Sequence, residues 1–328
     1  MLREIIQQIR TYPGLTRKRD IYRVTNILQT VTDFGETVAD LGEDAAAIAY
    51  NGEYLLLAVD GIWSGLIEAN PYGAGKAAVM ASVNDIYAMG GRPLAMVNVI
   101  GVSKDGNLAD IVRGIRKGCE KFRVPMVGGH LHPDTGEEQL SVAILGRAQR
   151  LLRSNNAVPG QDIIFAVDMD GKGYQCKPVL SWDTNSGKKT LQVLERLELL
   201  PQLSEKQLCS TAKDVSNAGV LGTIALMMET SETGAHINID CIPKPESFCL
   251  IDWLKAFLSY GFVLCVDKNK SAEVLAIFAS KNITASVIGT VTQERTYTLE
   301  YQGKRDMLFD LGKEDITGIM HDYVLQNM

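Results

Sequence analysis

Residues 82–93 read SVNDIYAMGGRP, and this stretch is the most informative in the chain because it contains one acid, Asp85, within an apolar helical pattern. Residues 75–89 lack proline and internal glycine, which predicts a helix. Ala, Val, Met and Ile surround Asp85 there, and such helix interiors rarely bury an unpaired acid. We expect Asp85 to face a cation with other acids converging on it; a helix cap or a surface position is the alternative. Gly90 and Gly91 are expected to end the helix.

The bulk properties describe a globular chain of two domains. The chain has 328 residues, of which 46% are hydrophobic and 22% charged. A polar stretch ending in Pro159-Gly160 predicts a division into residues 1–150 and 151–328. The formal net charge of -6 argues against a nucleic-acid binder, and no apolar run is long enough to span a membrane.

The N-terminus has no signal-peptide pattern, and none of the six cysteines forms a CxxC pair. The cysteines are therefore interpreted as reduced core residues of a cytoplasmic protein.

The order of predicted elements indicates a mixed α+β or α/β architecture. Asn51-Gly52 between two apolar runs predicts a β-hairpin. Further strands are predicted at 94–102, 124–129 and 139–148, and a helix at 108–122. In the second half we predict a strand at 162–171, helices at 188–200, 203–213 and 219–230, and alternating strands and helices thereafter.

Three further acids share the setting of Asp85, because each lies at the end of a predicted element beside small residues. Asp44 opens the hairpin, Asp60 ends its second strand, and Asp214 lies between two predicted helices. Converging carboxylates repel one another unless a cation neutralises them, and oxygen ligands suit Mg²⁺ shared with phosphates. Taken singly, Asp44 and Asp60 fit ordinary turn residues better, and Asp214 fits an N-cap.

Glycine pairs and one basic segment complete the candidate site. Gly128-Gly129 and the turn at 217–219 are places where backbone N–H groups could approach phosphates. Lys18, in TRKRDI, is the candidate mobile cation for a phosphate, with Arg17 and Arg19 as competitors. No Walker A or dinucleotide fingerprint is present.

Five motifs in order resemble the aminoimidazole ribonucleotide (AIR) synthetase superfamily, the PurM-like proteins. They are GEDAAAI, AVDGIW, GAGKAAVMASVNDIYAMGGRP, VPMVGGH and KDVSNAGVLGT. The superfamily includes thiamine-monophosphate kinase, selenophosphate synthetase, the hydrogenase-maturation protein HypE and formylglycinamidine ribonucleotide synthetase. The resemblance covers residues 14–300, nearly the whole chain.

The resemblance implies a PurM-like fold of two domains. The N-terminal domain would hold a four-stranded mixed sheet with helices, pairing with a second copy into a barrel-like homodimer, and the C-terminal domain would be α/β. ATP would bind between the domains with Mg²⁺.

Particular residues match the positions that the family uses for these ligands. Asp44, Asp85 and Asp214 match the metal ligands. The matched cofactor-binding positions are Lys18, Gly42, Glu43, Asp44, Asp60, Gly128, Gly129 and His130, the last three as a turn contacting the nucleotide. Lys18, Asp60 and His130 are the catalytic candidates, with a structural hydrogen-bonding role as the alternative for His130.

The chain matches none of the named subfamilies in full. It lacks a cysteine close to Lys18, since Cys119 is its first, and its printed sequence does not end in cysteine. In the motif D-x-S-D-G of thiamine-monophosphate kinases, which the region at Asp214 resembles, the second acid is replaced here by Asn217. The chain is most similar to the AIR synthetase-related proteins.

The resulting hypothesis is a Mg²⁺-dependent, ATP-using phosphotransferase or synthetase acting on a small polar acceptor. The alternative is a non-catalytic nucleotide-binding partner protein of the same fold.

Overall fold

The computed structural model describes residues 1–28, 31, 37–39, 41–103, 106–176 and 179–319. The first described residues form a helical segment that is interrupted before Pro13. Its elements are α1 (Leu2–Arg10), α2 (Pro13–Thr16), a 3₁₀ turn (Arg17–Asp20) and α3 (Ile21–Leu28).

The first sheet has six strands in the described part of the chain, in the order β1-β2-β3-β6-β4-β5. The resemblance implied four strands, so the sheet is wider than expected. The strands are β1 (Thr37–Ala39), β2 (Ala46–Tyr50), β3 (Glu53–Gly61), β4 (Arg92–Gly101), β5 (Met126–His132) and β6 (Gln139–Ala148). Strands β4 and β5 are parallel and the other pairs antiparallel, so the sheet is mixed. The predicted hairpin is confirmed: Asn51 and Gly52 have φ of 50° and 80°, as a type I′ turn requires.

The second sheet has seven strands in the order β10-β13-β7-β14-β11-β15-β16, beside a smaller sheet β12-β9-β8. Their bounds are β7 (Asp162–Val167), β8 (Lys172–Cys176), β9 (Val179–Asp183), β10 (Thr211–Asp214), β11 (Gly234–Asn238), β12 (Phe257–Leu258), β13 (Gly261–Val266), β14 (Thr284–Thr292), β15 (Thr296–Tyr301) and β16 (Lys304–Asp310). The helices are α4 (Ser64–Ala69), α5 (Pro71–Ala88), α6 (Leu108–Phe122), α7 (Thr190–Leu197), α8 (Leu199–Glu205), α9 (Gly219–Thr230), α10 (Leu250–Lys255) and α11 (Lys268–Ala279).

Two predictions in the second half are wrong. The helix predicted over 203–213 stops at Glu205, and β10 follows because residues 211–214 pair antiparallel with β13. The strand predicted over 162–171 ends at Val167, and a hairpin of β8 and β9 was not predicted. The helices predicted at 108–122 and 219–230 have the observed bounds.

Helix α5 is the centre of the molecule because it packs on both large sheets. It contacts β3, β4 and β6 of the first sheet and β10 of the second. Twelve of its 18 residues are buried, many of them alanine, so the sheets can approach closely. One hydrophobic core surrounds the helix and includes Val142 from one sheet and Phe262 from the other.

Gly90 and Gly91 form the C-terminal cap of α5, the helix that contains Asp85. Gly90 has φ of 76°, a conformation that favours glycine. The N–H groups of Gly90 and Gly91 donate to the carbonyls of Tyr87 and Ile86, which together form a Schellman cap. A Cβ on Gly91 would lie 2.3 Å from Leu56, so only glycine fits there.

The N-terminal helix packs on the second sheet. Leu2, Ile5, Ile6 and Ile9 of α1 join the core formed by α9 and that sheet. The division at residue 150 stays a prediction, since residues from both halves share cores.

Two other sequence expectations concern the cysteines and membranes. Cys241 and Cys249 are exposed, which corrects their interpretation as core residues, whereas Cys209 and Cys265 are buried. In the part of the chain that the structure describes, no helix is long and apolar enough to cross a membrane. The cytoplasmic location stays a prediction.

Candidate metal and nucleotide site

Four acidic side chains lie close together because the ends of β3, β10 and α5 and the start of β2 meet there. Asp60 is in the last two residues of β3, Asp214 ends β10, and Asp85 lies in the last turn of α5. Asp44 precedes β2, which pairs with β3. The contacts of α5 with both β3 and β10 therefore fix the relative positions of these side chains.

Asp44, Asp85 and Asp214 form a group that could hold a metal ion. Each offers a carboxylate oxygen, and these atoms all lie within 4.8 Å of one another. The main-chain N–H of Asp214 also donates to Asp44 Oδ2 at 3.4 Å. The prediction that acids converge on Asp85 is thus met in the geometry.

Burial and repulsion between charges raise the pKa values of Asp60, Asp85 and Asp214. The pKa of Asp85 lies well above its usual value because the group is buried and faces Asp60, Asp214 and Asp44. Burial and the charge of Asp44 raise the pKa of Asp214 to about 8. Burial also raises the pKa of Asp60, whose side chain hydrogen-bonds with Asp85. Without a bound cation, ionising all of these carboxyls at the same time is strongly unfavourable.

Two lysines offset part of this negative charge. Lys213 Nζ forms an ion pair with Asp44 Oδ1, and both side chains are at least 90% buried. Burial alone would lower the pKa of Lys213, but Asp44 and Asp214 outweigh it and raise the pKa. Lys18 lies near the same group, where burial and repulsion from Lys213 lower its pKa although Asp214 and Asp60 attract it.

The N-terminal segment brings Lys18 to the acids by close packing. Gly14 lies against the turn after β10, where a Cβ on it would be only 2.1 Å from the carbonyl oxygen of Asn217. Leu15 is 3% exposed in the core beside α9. The 3₁₀ turn that follows then places Lys18 near Asp60 and Asp214.

Glu43 and Gly42 lie beside Asp44 but contact the segment after β6. The Glu43 carboxylate accepts hydrogen bonds from Ser154 N at 2.7 Å, Ser154 Oγ at 2.8 Å and Arg153 Nε at 3.2 Å. Its side chain is 1% exposed. The carbonyl of Gly42 accepts from the same Ser154 hydroxyl. These contacts fix the backbone next to Asp44, and a role for Glu43 and Gly42 toward a nucleotide stays a prediction.

The turn that the resemblance implied at 128–130 is wrong, whereas the strand predicted at 124–129 is present as β5. Gly128, Gly129 and His130 lie within β5, at the edge of the first sheet, and pair in register with β4. All three are exposed, and the ring of His130 contacts that of His132 at 4.4 Å. Among the described residues, none of the three hydrogen-bonds or ion-pairs with the four acids.

Sequence reasoning missed Lys213. The indication in the sequence was the lysine of TAKD at 211–214, which forms a strand of four buried residues. A buried lysine requires a counter-charge. The helix predicted through residue 213 concealed that requirement.

A cavity of about 670 Å³ lies beside the segment that follows β6. Its lining includes Arg150, Arg153 and Lys270 and none of the four acids. Arg153 also contacts Glu43, the residue before Asp44 in the chain.

Two sheets packed on a shared helix, with acids at the strand ends, define a PurM-like two-domain protein. The chain belongs to the AIR synthase related protein family: the N-terminal domain of that family matches residues 42–148 and its C-terminal domain residues 178–302.

Similar sequences span the chain. An uncharacterized protein of Synechocystis sp., sll0787, is 35% identical over 98% of this chain and 100% of its own length. A selenide, water dikinase of Carboxydothermus hydrogenoformans is 25% identical over 68% of this chain and 76% of its own.

Solved structures share the fold. Thermotoga maritima PurL complexed with ADP has a TM-score of 0.74 at 17% identity, covering 92% of this chain, which spans about half (51%) of the PurL chain. The structure titled AaThiL complexed with AMPPCP and TMP has a TM-score of 0.66 at 17% identity, covering 88% of this chain and 95% of that one. At these identities the likeness shows the fold alone.

Proposed function

We propose that the chain is a Mg²⁺-dependent, ATP-using enzyme that transfers or activates a phosphoryl group on a small polar acceptor. The observation that carries the proposal is the convergence of Asp44, Asp85 and Asp214 within 4.8 Å. Family membership supports it, as do the relatives named as a dikinase or solved with ADP or AMPPCP.

The donor set fits a hard divalent cation. All three groups offer carboxylate oxygens, which Mg²⁺ prefers. The raised pKa values of Asp85 and Asp214 reflect their burial close to other acids without a bound cation. Mg²⁺ held there would supply positive charge to the phosphate oxygens during transfer.

The neighbouring side chains have distinct parts in this proposal. Asp60 lies close to Asp85 and adds a fourth carboxylate to the surroundings of the metal. Lys18, which lies near Asp60 and Asp214, binds a phosphate oxygen of the nucleotide and holds it for attack by the acceptor. Positioning and electrostatics of this kind provide most of the catalysis of phosphoryl transfer.

We also propose a homodimer through the first sheet. Helices cover one face of that sheet, while apolar residues stand exposed on the other, with Val59 at 68% and Val127 at 65%. The exposed set is Leu57, Val59, Val97, Val99, Val127, Leu131 and Leu145. A monomer rarely exposes so many adjoining apolar side chains. Pairing two such faces would also bring Gly128, Gly129 and His130 near an interface, where their proposed nucleotide contacts would form.

The first test is calorimetric titration of ATP with and without Mg²⁺. Asp85→Asn removes one ligand, and Asp110→Asn on the exposed surface of α6 is the matched control. We expect Mg²⁺-dependent binding that Asp85→Asn loses and Asp110→Asn retains. Failure of the wild type to bind ATP would refute the proposal. Tight binding without turnover on a panel of polar acceptors would favour the non-catalytic nucleotide-binding protein.

A further inference from the structure

Lys213 lies close to Asp44 and Asp214, and the sequence motifs assigned no role to this lysine. It belongs to β10, whose four residues are all buried, and is itself 8% exposed. Its backbone is held in register with Val263 of β13. Its ammonium group forms an ion pair with Asp44 Oδ1.

The dipeptide Lys213-Asp214 engages both oxygens of Asp44. Lys213 Nζ contacts Oδ1, and the Asp214 N–H donates to Oδ2 at 3.4 Å. Asp44 is also one of the three acids that could hold a metal ion. A divalent ion on Asp44 would therefore stand close to the Lys213 ammonium group, and two cations at that distance repel strongly in a buried site.

The charges around the site leave room for one divalent ion. Four carboxylates (Asp44, Asp60, Asp85 and Asp214) and two lysines (Lys18 and Lys213) give a net charge of -2 when all are ionised. One divalent ion neutralises this set. An arriving polyphosphate then supplies the anion that Lys213 loses when the metal takes Asp44.

We propose that Lys213 is an internal counter-ion that competes with the divalent ion for Asp44 and, once displaced, binds a phosphate of the nucleotide. The inference rests on the proposed function, because it requires that the acids bind a metal. It makes metal and nucleotide bind with positive coupling: each one favours the displaced position of Lys213. By thermodynamic reciprocity the metal tightens nucleotide binding as much as the nucleotide tightens metal binding.

The test measures Mn²⁺ affinity by the paramagnetic resonance signal of the free ion, with and without AMPPCP. Lys213→Met removes the competing charge, and Lys213→Arg retains it. Lys188→Met is the matched control, since Lys188 is a buried lysine paired with Asp168 at 3.2 Å away from the acids.

Without nucleotide, we expect Lys213→Met to bind Mn²⁺ at least tenfold more tightly than the wild type. The tightening by AMPPCP should fall at least tenfold in this variant and stay unchanged in Lys213→Arg and Lys188→Met. If Lys213→Met does not fold, Lys213→Gln keeps a hydrogen-bond donor for Asp44 without the charge and must show the same gain.

Equal or weaker Mn²⁺ binding by the neutral variants would overturn the role of Lys213 and leave the proposed metal site standing. Absence of Mn²⁺ binding in every variant, with or without AMPPCP, would overturn the metal site together with this inference.

Discussion

Replacing Asp214 by asparagine should stabilise the metal-free protein while removing a metal ligand. Asp214 is 4% exposed, and burial together with Asp44 raises its pKa from 3.8 to about 8. Between these values the folded protein holds a proton that the unfolded chain releases. This contribution to stability is therefore fully present below pH 3.8 and is lost as the pH rises through 8.

The magnitude follows from the same two pKa values. Each pKa unit corresponds to about 1.4 kcal/mol, so keeping this carboxyl protonated at pH 7 costs about 4 kcal/mol of folding free energy. Asparagine has nearly the same shape and no charge to lose. Burying its amide offsets part of the gain, and we expect a net stabilisation of about 2 kcal/mol.

The assay is urea and thermal unfolding in EDTA at pH 4.5 and pH 8, with Asp110→Asn as the control. Asp214→Asn should be more stable than the wild type at pH 8, with a much smaller difference at pH 4.5. Adding Mg²⁺ should stabilise the wild type and not the variant. Equal stabilities at pH 8, or a gain that does not change with pH, would refute the electrostatic reasoning.

Two further predictions concern the proposed dimer face and the C-terminal part of the second core. Val59→Asp should convert the dimer to a monomer in light scattering, because it places a charge on the exposed apolar face of β3, whereas Val112→Asp on exposed α6 should not. Glu229→Gln should lower the free energy of unfolding by about 2–3 kcal/mol, because its carboxylate accepts from Thr317 N at 3.0 Å and Thr317 Oγ at 2.7 Å in a buried site. Glu273→Gln on the exposed surface of α11 should leave stability unchanged in the same urea titration.

A monomeric wild type, or a dimeric Val59→Asp variant, would contradict the dimer face. Equal unfolding midpoints for Glu229→Gln and Glu273→Gln would show that the hydrogen bonds to Thr317 add nothing to stability.

Local patterns predicted the elements whose identity depends on their own residues. The hairpin followed from Asn51-Gly52, whose φ values only a few residue types adopt readily. Helix α6 has an apolar face repeated at helical spacing, and its predicted bounds match the observed ones. The position of each acid at the end of a predicted element made it a candidate. The resemblance supplied the set of three metal ligands, since sequence spacing alone could not bring Asp44 next to Asp214.

Elements defined by their partners were mispredicted. Strand β10 has four residues and is extended only because β13 pairs with it, whereas its sequence continues a helical pattern. The same error hid Lys213, whose role depends on Asp44, 169 residues away in the chain. The resemblance implied a turn at Gly128 and Gly129, but pairing with β4 holds them in the strand that their own sequence predicted.

Helix α5 has a consequence for dissecting the gene. Because its small residues meet two sheets, a fragment ending near residue 150 would leave the side that meets β10 uncovered. Asn84 of this helix would also lose the carbonyl of Ser259, to which it donates at 3.2 Å. The two matched family regions therefore share one packed helix, and we expect either half expressed alone to expose apolar surface that the other half covers.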